Sequence, residues 1–494
     1  MVGSRAGRIP LALVVTLASS AVAASAASAP ASSRVSTFSS WLVAGNGSDC
    51  ASPPACGDGP AATSAQLGFP TGVAVGPHGD LYVADWGDNE IRKIGLDGSI
   101  AIVAGGGTAC SVPPSCGDGA AATDAQLSFP SGVAVDKAGN VYIADTEDNE
   151  VRKVSATGTI IRFAGTGKSC ARPPACGDGG QARSAQLSSP GGVAVNSAGD
   201  VYIADSADDE IRVVTPDGKI TRVAGTGTAC SAAPSCGDGG AATSAQLFRP
   251  EGVTVSRAGE VLIADDGDNE VRLIGADGRI SRLAGSGTAC SAAPSCGDGG
   301  SATAAKLNLP DGVAVDGAGN VYIADDGDNE VREVTGGKIL RIAGTGATCS
   351  APPSCGDGGP ATSARFNYPD AVGADASGNV YVTDTYDSEV RLLTQSPVEH
   401  VVGTTTAVST FSTAVTSQSV IVRFVLSGPA TVTLSVRASR SPAQVARVSG
   451  KPGWGELIWS RKLGGRAAPR GRYNLDVTAT SGTGSATRSL SVRL

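Results

Sequence analysis
Twelve cysteines stand in six pairs, and within each pair the residues are six positions apart: Cys50 and Cys56, Cys110 and Cys116, Cys170 and Cys176, Cys230 and Cys236, Cys290 and Cys296, Cys349 and Cys355. Two thiolates supply half of a zinc shell, but the chain has only His78 and His400 to complete one. Thiol redox chemistry favours the tighter Cys-x-x-Cys spacing. An even count at even spacing fits disulfides, each closing a small loop worth about 2 kcal/mol of chain entropy. Proline lies inside every loop, as at Pro53-Pro54 and Pro234, and stiffens it further. The expectation is six structural disulfides, no resident metal and no redox role. Rigid loop tips need little ordering on contact, which suits a recognition surface.

Carboxylates recur as regularly. An Asp-x-x-Asp-x-Glu stretch appears six times: Asp85, Asp88 and Glu90; Asp145, Asp148 and Glu150; Asp205, Asp208 and Glu210; Asp265, Asp268 and Glu270; Asp325, Asp328 and Glu330; Asp384, Asp387 and Glu389. Each Cys loop leads into Gly-Asp-Gly, adding Asp58, Asp118, Asp178, Asp238, Asp298 and Asp357, and extras such as Asp266 and Asp326 stand beside the repeating set. Such groups serve as an acidic face for a cationic partner, as hard oxygen ligands, or as acid–base catalysts. The spacing is not that of the twelve-residue helix-loop-helix calcium site, so no cofactor is expected, with Ca²⁺ the one ion the pattern leaves open. A structural role competes with these. Asp at strand ends and in turns bonds nearby backbone N–H groups, and each Glu stands two residues before an Arg, as Glu90 does before Arg92.

Catalysis has little else to work with. His78 sits in a Pro-His-Gly turn and His400 falls after the last repeat, so no nucleophile–base pair is evident. The residues favour a non-catalytic binding or scaffold protein that recognises protein or carbohydrate. The alternative is an extracellular hydrolase or lyase with a carboxylate- or metal-based site on a central axis. One acidic residue on the inner wall without counterparts elsewhere would point to that alternative.

The elements that must position these groups repeat as well. Successive first cysteines are 60 residues apart, except for a final interval of 59. Each unit between residues 41 and 403 holds four short β-rich runs separated by turn chemistry, in the second unit Val133–Asp136, Val141–Asp145, Glu150–Val154 and Thr159–Ala164. A lone sheet of this size cannot bury both faces, whereas six packed around an axis can, which predicts a six-bladed β-propeller. The strands alternate in direction. Turns between second and third strands therefore share a face with the Cys loops between blades, and the 24 recurring carboxylates gather there. There are seven candidates for six outermost strands. Ser39–Ala44 is expected to complete the sixth blade, because the first Cys loop then falls in register with the others.

Gly-Asp-Gly-Gly-x-Ala-x-Ser-Ala-Gln-Leu, Pro-x-Gly-Val-Ala-Val, Val-Tyr-Ile-Ala-Asp and Glu-Val-Arg resemble the NHL-repeat propellers, and the longer Gly-Asp-Gly form resembles bacterial members and the teneurin-type NHL domain. The resemblance implies the propeller fold. Many NHL repeats carry a basic or neutral residue where this chain has Glu90 and its equivalents, so an anionic family ligand transfers poorly.

The chain of 494 residues is long enough for more than one domain. Residues 1–29 read as a secretory leader: Arg5 and Arg8, then an apolar stretch from Leu11 to Ala24, then Ala24-Ser25-Ala26 as the best-placed cleavage site. No other long apolar run exists, so no membrane span is expected in the mature chain. The expected organisation is a leader at 1–29, the propeller at 30–403, a Thr/Ser-rich linker at 404–419 and an Ig-like β-sandwich at 420–494. Trp454, Trp459 and the run from Arg466 to Ala479 resemble the Ig-like domain of the flagellar hook-capping protein family, which implies a fold and not a flagellar role. Residues 401–494 hold 12 Lys and Arg against 2 Asp and Glu, a net of +10. Residues 1–26 carry +2 and the whole chain −8, which leaves −20 on residues 27–400. An acidic ring with a basic appendage argues against nucleic acid as partner and for an extracellular protein or glycan, with the appendage docking on an anionic cell-wall polymer.

Overall fold
Val-Tyr-Ile-Ala-Asp and its variants combine β-branched and aromatic residues with no polar face, the composition of a strand covered on both sides. In the computed structural model this run is the second strand of each blade, and its residues are almost wholly buried in every copy. The structure describes residues 38–395, apart from short stretches inside the Cys loops, and strands between residues 408 and 493. The expected leader lies outside the described residues, as does His400. No helix among the described residues is long and apolar enough to cross a membrane.

Six four-stranded antiparallel sheets follow one another along residues 38–395. In the second blade the strands are Pro130–Val135, Val141–Asp145, Glu150–Val154 and Ile160–Gly165, from the axis outward. The innermost strand opens on a proline, whose missing N–H is tolerated at a strand start. The sixth blade takes Val372–Ala374, Val380–Asp384 and Glu389–Gln395 from the end of the ring and Phe38–Ala44 from its beginning. Phe38 pairs with Gln395 and Ala44 with Val390, so the closing strand is the N-terminal one.

The core lies between blades rather than within them. One cluster joins Tyr142, Ala144 and Val151 of the second blade to Val193, Ile203 and Ile220 of the third. The small-residue stretch after each Gly-Asp-Gly forms a short 3₁₀ turn, such as Ala182–Ser184, and lays Ala182, Ala185 and Leu187 into that seam, where bulkier side chains would not pack. Side chains stitch adjacent blades along the same seam. Asn89 adopts a left-handed backbone and its Oδ1 accepts the N–H of Phe129 at 2.9 Å; Asn149 takes Ser189, Asp209 takes Arg249, Asn269 takes Leu309 and Asn329 takes Tyr368 in the same way. Asn and Asp tolerate that conformation better than other side chains, which explains their place before five of the six glutamates; Ser388 takes the same left-handed position before Glu389.

Beyond the ring, Val408–Val415, Val420–Leu426 and Gly453–Trp459 form one antiparallel sheet. Ala430–Arg437, Ala443–Gly450, Arg472–Ser481 and Gly484–Arg493 form another. Val408–Val415 lies inside the stretch read as a linker. Its residues pair with Val420–Leu426, and its Thr and Val content carries a β preference of its own, so the stretch holds a strand.

Candidate functional site
The recurring carboxylates do not stand out into solvent. Each blade buries one arginine completely: Arg92, Arg152, Arg212, Arg272, Arg332 or Arg391. Arg152 donates from Nη2 to Asp118 at 2.7 Å and from Nη1 to Asp145 at 3.3 Å. The equivalent pairs of Arg212, Arg272, Arg332 and Arg391 lie between 2.7 and 3.2 Å, and Arg92 bonds Asp58 and Asp85 in the same way. The second oxygen of Asp145 accepts the backbone N–H of Ser128 at 2.6 Å, a bond repeated in every blade. Asp145, Asp148, Glu150 and their equivalents are all buried, and only the Gly-Asp-Gly aspartates keep about a fifth to a quarter of their side chains open. Eighteen of the twenty-four candidates are thus buried, and of these the aspartate that ends each second strand is the one bonded to the buried guanidinium.

Burial pushes Asp145 up to about 8 and Asp205, Asp325 and Asp384 up to about 7, against the pull of the paired arginine. The glutamates do not pair well with the arginine two residues on; those separations are 3.8 to 4.0 Å in the three blades where they occur. Their better partner is an outermost-strand arginine that sequence reasoning overlooked: Arg162, Arg222, Arg282 and Arg341 reach Glu150, Glu210, Glu270 and Glu330 at 3.2 to 3.8 Å. The signal was present as Ile-x-Arg in four repeats. In the sixth blade Leu42 occupies that register position, and burial without this partner pushes Glu389 up to about 9, against about 7 for Glu150.

All six cysteine pairs are disulfide-bonded, with Cα–Cα distances of 5.6 to 5.8 Å. In the first five blades a carboxylate oxygen of Asp88, Asp148, Asp208, Asp268 or Asp328 lies within 4.8 Å of the bridge sulfurs. This contact places every such bridge over the turn between second and third strands, so the stapled tips share one face. The sulfurs are oxidised and leave no thiolate for a metal. Thiol titration of the unfolded, unreduced protein will find no reactive thiol; twelve would overturn the pairing.

The axial mouth on that same face breaks the sixfold repeat. It is a cavity of about 170 Å³ lined by the start of each innermost strand. The residue after the strand-opening proline is Thr71, Ser131 and Gly191 in blades one to three, and Glu251, Asp311 and Asp370 in blades four to six. The residue after each Val-Tyr-Ile-Ala-Asp motif divides similarly. Thr146, Ser206 and Thr385 donate their hydroxyls to Pro190, Pro250 and Pro70 carbonyls at 2.9, 2.7 and 2.7 Å. Asp266 and Asp326 take the corresponding positions in blades four and five. Glu251 accepts from the Ser206 hydroxyl at 3.1 Å and lies across Gly191, where a Cβ would meet that hydroxyl at 2.7 Å. Arg249 bonds Asp266 through Nε at 2.8 Å. Burial and mutual repulsion push Glu251 and Asp326 up to about 7, and hold Asp311 and Asp370 well above the usual carboxylate range. This acidic half escaped sequence reasoning apart from Asp266 and Asp326, although it stands at the variable position of Pro-x-Gly. His78 is exposed in a turn between first and second strands, on the opposite face.

The other part of the rim is aromatic. Trp86 lines the mouth and packs on Phe129 at a centroid distance of 4.5 Å. Tyr386 packs on Phe69 at 5.6 Å and on Tyr368 at 4.9 Å. Trp86, Tyr368 and Tyr386 remain 36, 43 and 58% exposed. Phe69, Phe129 and Tyr368 sit at left-handed backbone positions before the strand-opening proline, which turns these side chains toward the rim.

Known proteins are similar to parts of this chain. Teneurin-m of Drosophila melanogaster is 29% identical over 342 residues, covering 55% of this chain and 12% of that protein. Teneurin-1 of Homo sapiens is 32% identical over 254 residues, covering 47% of this chain and 9% of that one. The chain thus spans a small fraction of the length of these relatives. Among solved structures, an auxiliary nutrient binding protein from Bacteroides thetaiotaomicron aligns at 14% identity with a TM-score of 0.49, over 72% of this chain and 76% of that one. Virginiamycin B lyase from Staphylococcus aureus aligns at 13% identity with a TM-score of 0.39, over 67% and 97%. The family description "Teneurin NHL domain" matches residues 32–115, 96–165, 161–235, 216–295 and 283–342. These segments run without a gap through most of the ring, and the chain belongs to the teneurin NHL domain family.

Proposed function
We propose that this chain is a secreted recognition module that binds an extracellular protein or glycan through the disulfide-bearing face of its ring. The observation that carries the reading is the aromatic rim. The chain has 20 Phe, Tyr and Trp residues, and five of them, Phe69, Trp86, Phe129, Tyr368 and Tyr386, gather at one mouth. Exposed aromatics on a rigid frame are the side chains that carry most binding energy at contact surfaces, because they bring area with few torsions to freeze. Stapled loops around them add contact at small entropic cost. The basic segment after the ring, net +10 over residues 401–494, suits attachment to an anionic wall polymer.

A hydrolase or lyase is the second reading, favoured by the acidic half of the mouth, whose residues lack counterparts in blades one to three. The cavity weighs against it. At about 170 Å³ it lies below the roughly 300–1,000 Å³ of ordinary substrate pockets. Recognition is tested by screening the full chain against a glycan array and a Lys-rich peptide, followed by calorimetry on any ligand found. A Trp86→Ala/Tyr386→Ala variant is expected to lose about tenfold or more in affinity. Absence of binding in both classes, or unchanged affinity in that variant, would overturn the reading.

A further inference from the structure
We infer that the disulfide-bearing face docks a segment of another protein in which an Arg or Lys stands among apolar residues, the apolar residues covering the rim and the cation entering the axial mouth. Resting on the recognition reading above, this narrows the partner from protein or glycan to protein.

Exposed apolar surface is concentrated on that face. The large apolar side chains left exposed among the described residues are Trp86, Val112, Phe248, Leu309, Tyr368 and Tyr386. Trp86 and Tyr386 stand in turns between second and third strands, and Phe248, Leu309 and Tyr368 just before innermost strands. Val112 belongs to a Cys loop, so all six open on the same side of the ring. Exposed apolar residues scattered singly are ordinary, whereas their concentration within a polar surround marks a protein contact. Leu309 and Val112 are aliphatic and bring contact area without the flat ring on which a sugar stacks.

The backbone beneath the rim points the same way. The residue before each strand-opening proline is left-handed, with φ between 46 and 56°. That conformation favours Gly or Asn and is costly for a bulky side chain. Four blades nevertheless place a large apolar residue there: Phe69, Phe129, Leu309 and Tyr368. Leu309 and Tyr368 stay 37 and 43% exposed, so packing within the ring offsets little of the cost. Strain of this kind clusters where side chains are held ready for a ligand. Phe248 is held by its neighbour instead: its ring lies on Gly267, where a Cβ would meet it at 2.6 Å.

Charge selects the residue at the centre of the partner. The mouth inside this rim is lined by Glu251, Asp311 and Asp370 and by no basic side chain. Arg249 beside it is engaged by Asp266 at 2.8 Å and stands 3.7 Å from Glu251. Trp86 lines the same mouth and offers an entering cation its ring. A guanidinium or ammonium group thus meets carboxylates and an aromatic side chain in one cavity, and an acidic side chain is repelled. The cavity of about 170 Å³ takes one extended side chain and not a folded segment. Apolar contacts around a charged centre exclude water from it and strengthen the central pair.

The test selects disulfide-constrained heptapeptides from a random phage library on the full chain, then measures the synthetic peptides by calorimetry. The recovered sequences should carry an Arg or Lys beside apolar residues. Phe248→Ser and Leu309→Ser change exposed side chains, so the ring stays folded, and each should weaken binding about tenfold. Asp311→Asn and Glu251→Gln should cost about as much, and that loss should vanish for a peptide whose basic residue is replaced by Gln. Burial and repulsion from Asp266 and Asp326 hold protons on the three lining carboxyls, with Arg249 opposing. A bound cation displaces those protons, so affinity should rise between about pH 6 and 8. Recovery of neutral or acidic sequences, recovery of none, or undiminished affinity in the Phe248, Leu309 and Asp311 variants overturns the inference. A neutral glycan held through Trp86 and Tyr386 without help from Phe248, Leu309 or Asp311 also overturns it, and leaves the recognition reading standing. Absence of both peptide and glycan ligands overturns both.

Discussion

A chain that begins at Gly45 will melt tens of degrees below one that begins at Thr37, or will fail to form the ring. The missing strand, Phe38–Ala44, is the outermost strand of the sixth blade and supplies its whole ladder to Glu389–Gln395. Phe38, Trp41 and Val43 are buried, and each such side chain contributes about 1.5–3 kcal/mol when removed from water. The three together come to roughly 5–8 kcal/mol, comparable to the roughly 5–15 kcal/mol that holds an ordinary domain together. Polar contacts go as well. Ser40 donates its hydroxyl to Asp357 at 3.1 Å and its N–H to the Gly359 carbonyl at 3.1 Å. The exposed edge of Glu389–Gln395 would then invite pairing between chains. Calorimetry and size-exclusion chromatography of the two chains decide the matter, and equal melting temperatures would refute closure by this strand.

The second large effect belongs to the buried arginines. Arg212→Met should lower stability by about 3–5 kcal/mol, the usual cost of leaving buried charges without their partner. Arg212 holds Asp178 at 2.7 Å and Asp205 at 3.2 Å, and also donates to the backbone carbonyls of Gln186 and Cys176. Methionine fills part of the volume and satisfies none of these. Arg222→Met is the informative contrast. Arg222 is partly exposed, stands 3.8 Å from Glu210 and donates to the Thr243 carbonyl at 3.2 Å, so its loss should cost about 1–2 kcal/mol, less than that of Arg212. Adding Asp205→Leu to Arg212→Met should recover part of the deficit, since the stranded carboxyl is removed with its partner. Denaturant unfolding measures all three. Equal effects of the Arg212 and Arg222 changes would show that the guanidinium network is not what holds the blade.

How much of this was legible in the residues depends on the range of the interaction. The cysteine pairing is local, six positions apart, and could be read directly. Blade strands were legible because Val-Tyr-Ile-Ala-Asp and its neighbours carry their own β preference, and closure by the N-terminal segment followed from the register of the first Cys loop. The fate of the carboxylates was not legible. An aspartate in a turn motif has the same appearance whether it faces water or a guanidinium. Arg152 meets Asp145 from the adjacent strand and Asp118 from a loop 34 residues earlier, a distance in sequence that no turn pattern reports. The acidic half of the mouth was obscured for the opposite reason. Attention to what repeats passes over the variable residue of Pro-x-Gly, which is where the blades differ. Val408–Val415 was misread because Ser and Thr signal a tether by polarity and a strand by branching, and here a paired neighbour decided for the strand.

The order of synthesis gives the seam of the ring one more property. Ser40 is made early and its acceptor Asp357 follows 317 residues later. At about 5–20 residues per second, the first strand must wait roughly 15–60 s for its place to exist, while earlier blades assemble around it. During that interval it is an unmated apolar ribbon, and an identical ribbon on a neighbouring nascent chain fits the same vacancy. Crowded expression will therefore yield interlocked dimers that exchange their first strands, and slower translation or lower yield will favour the self-closed monomer.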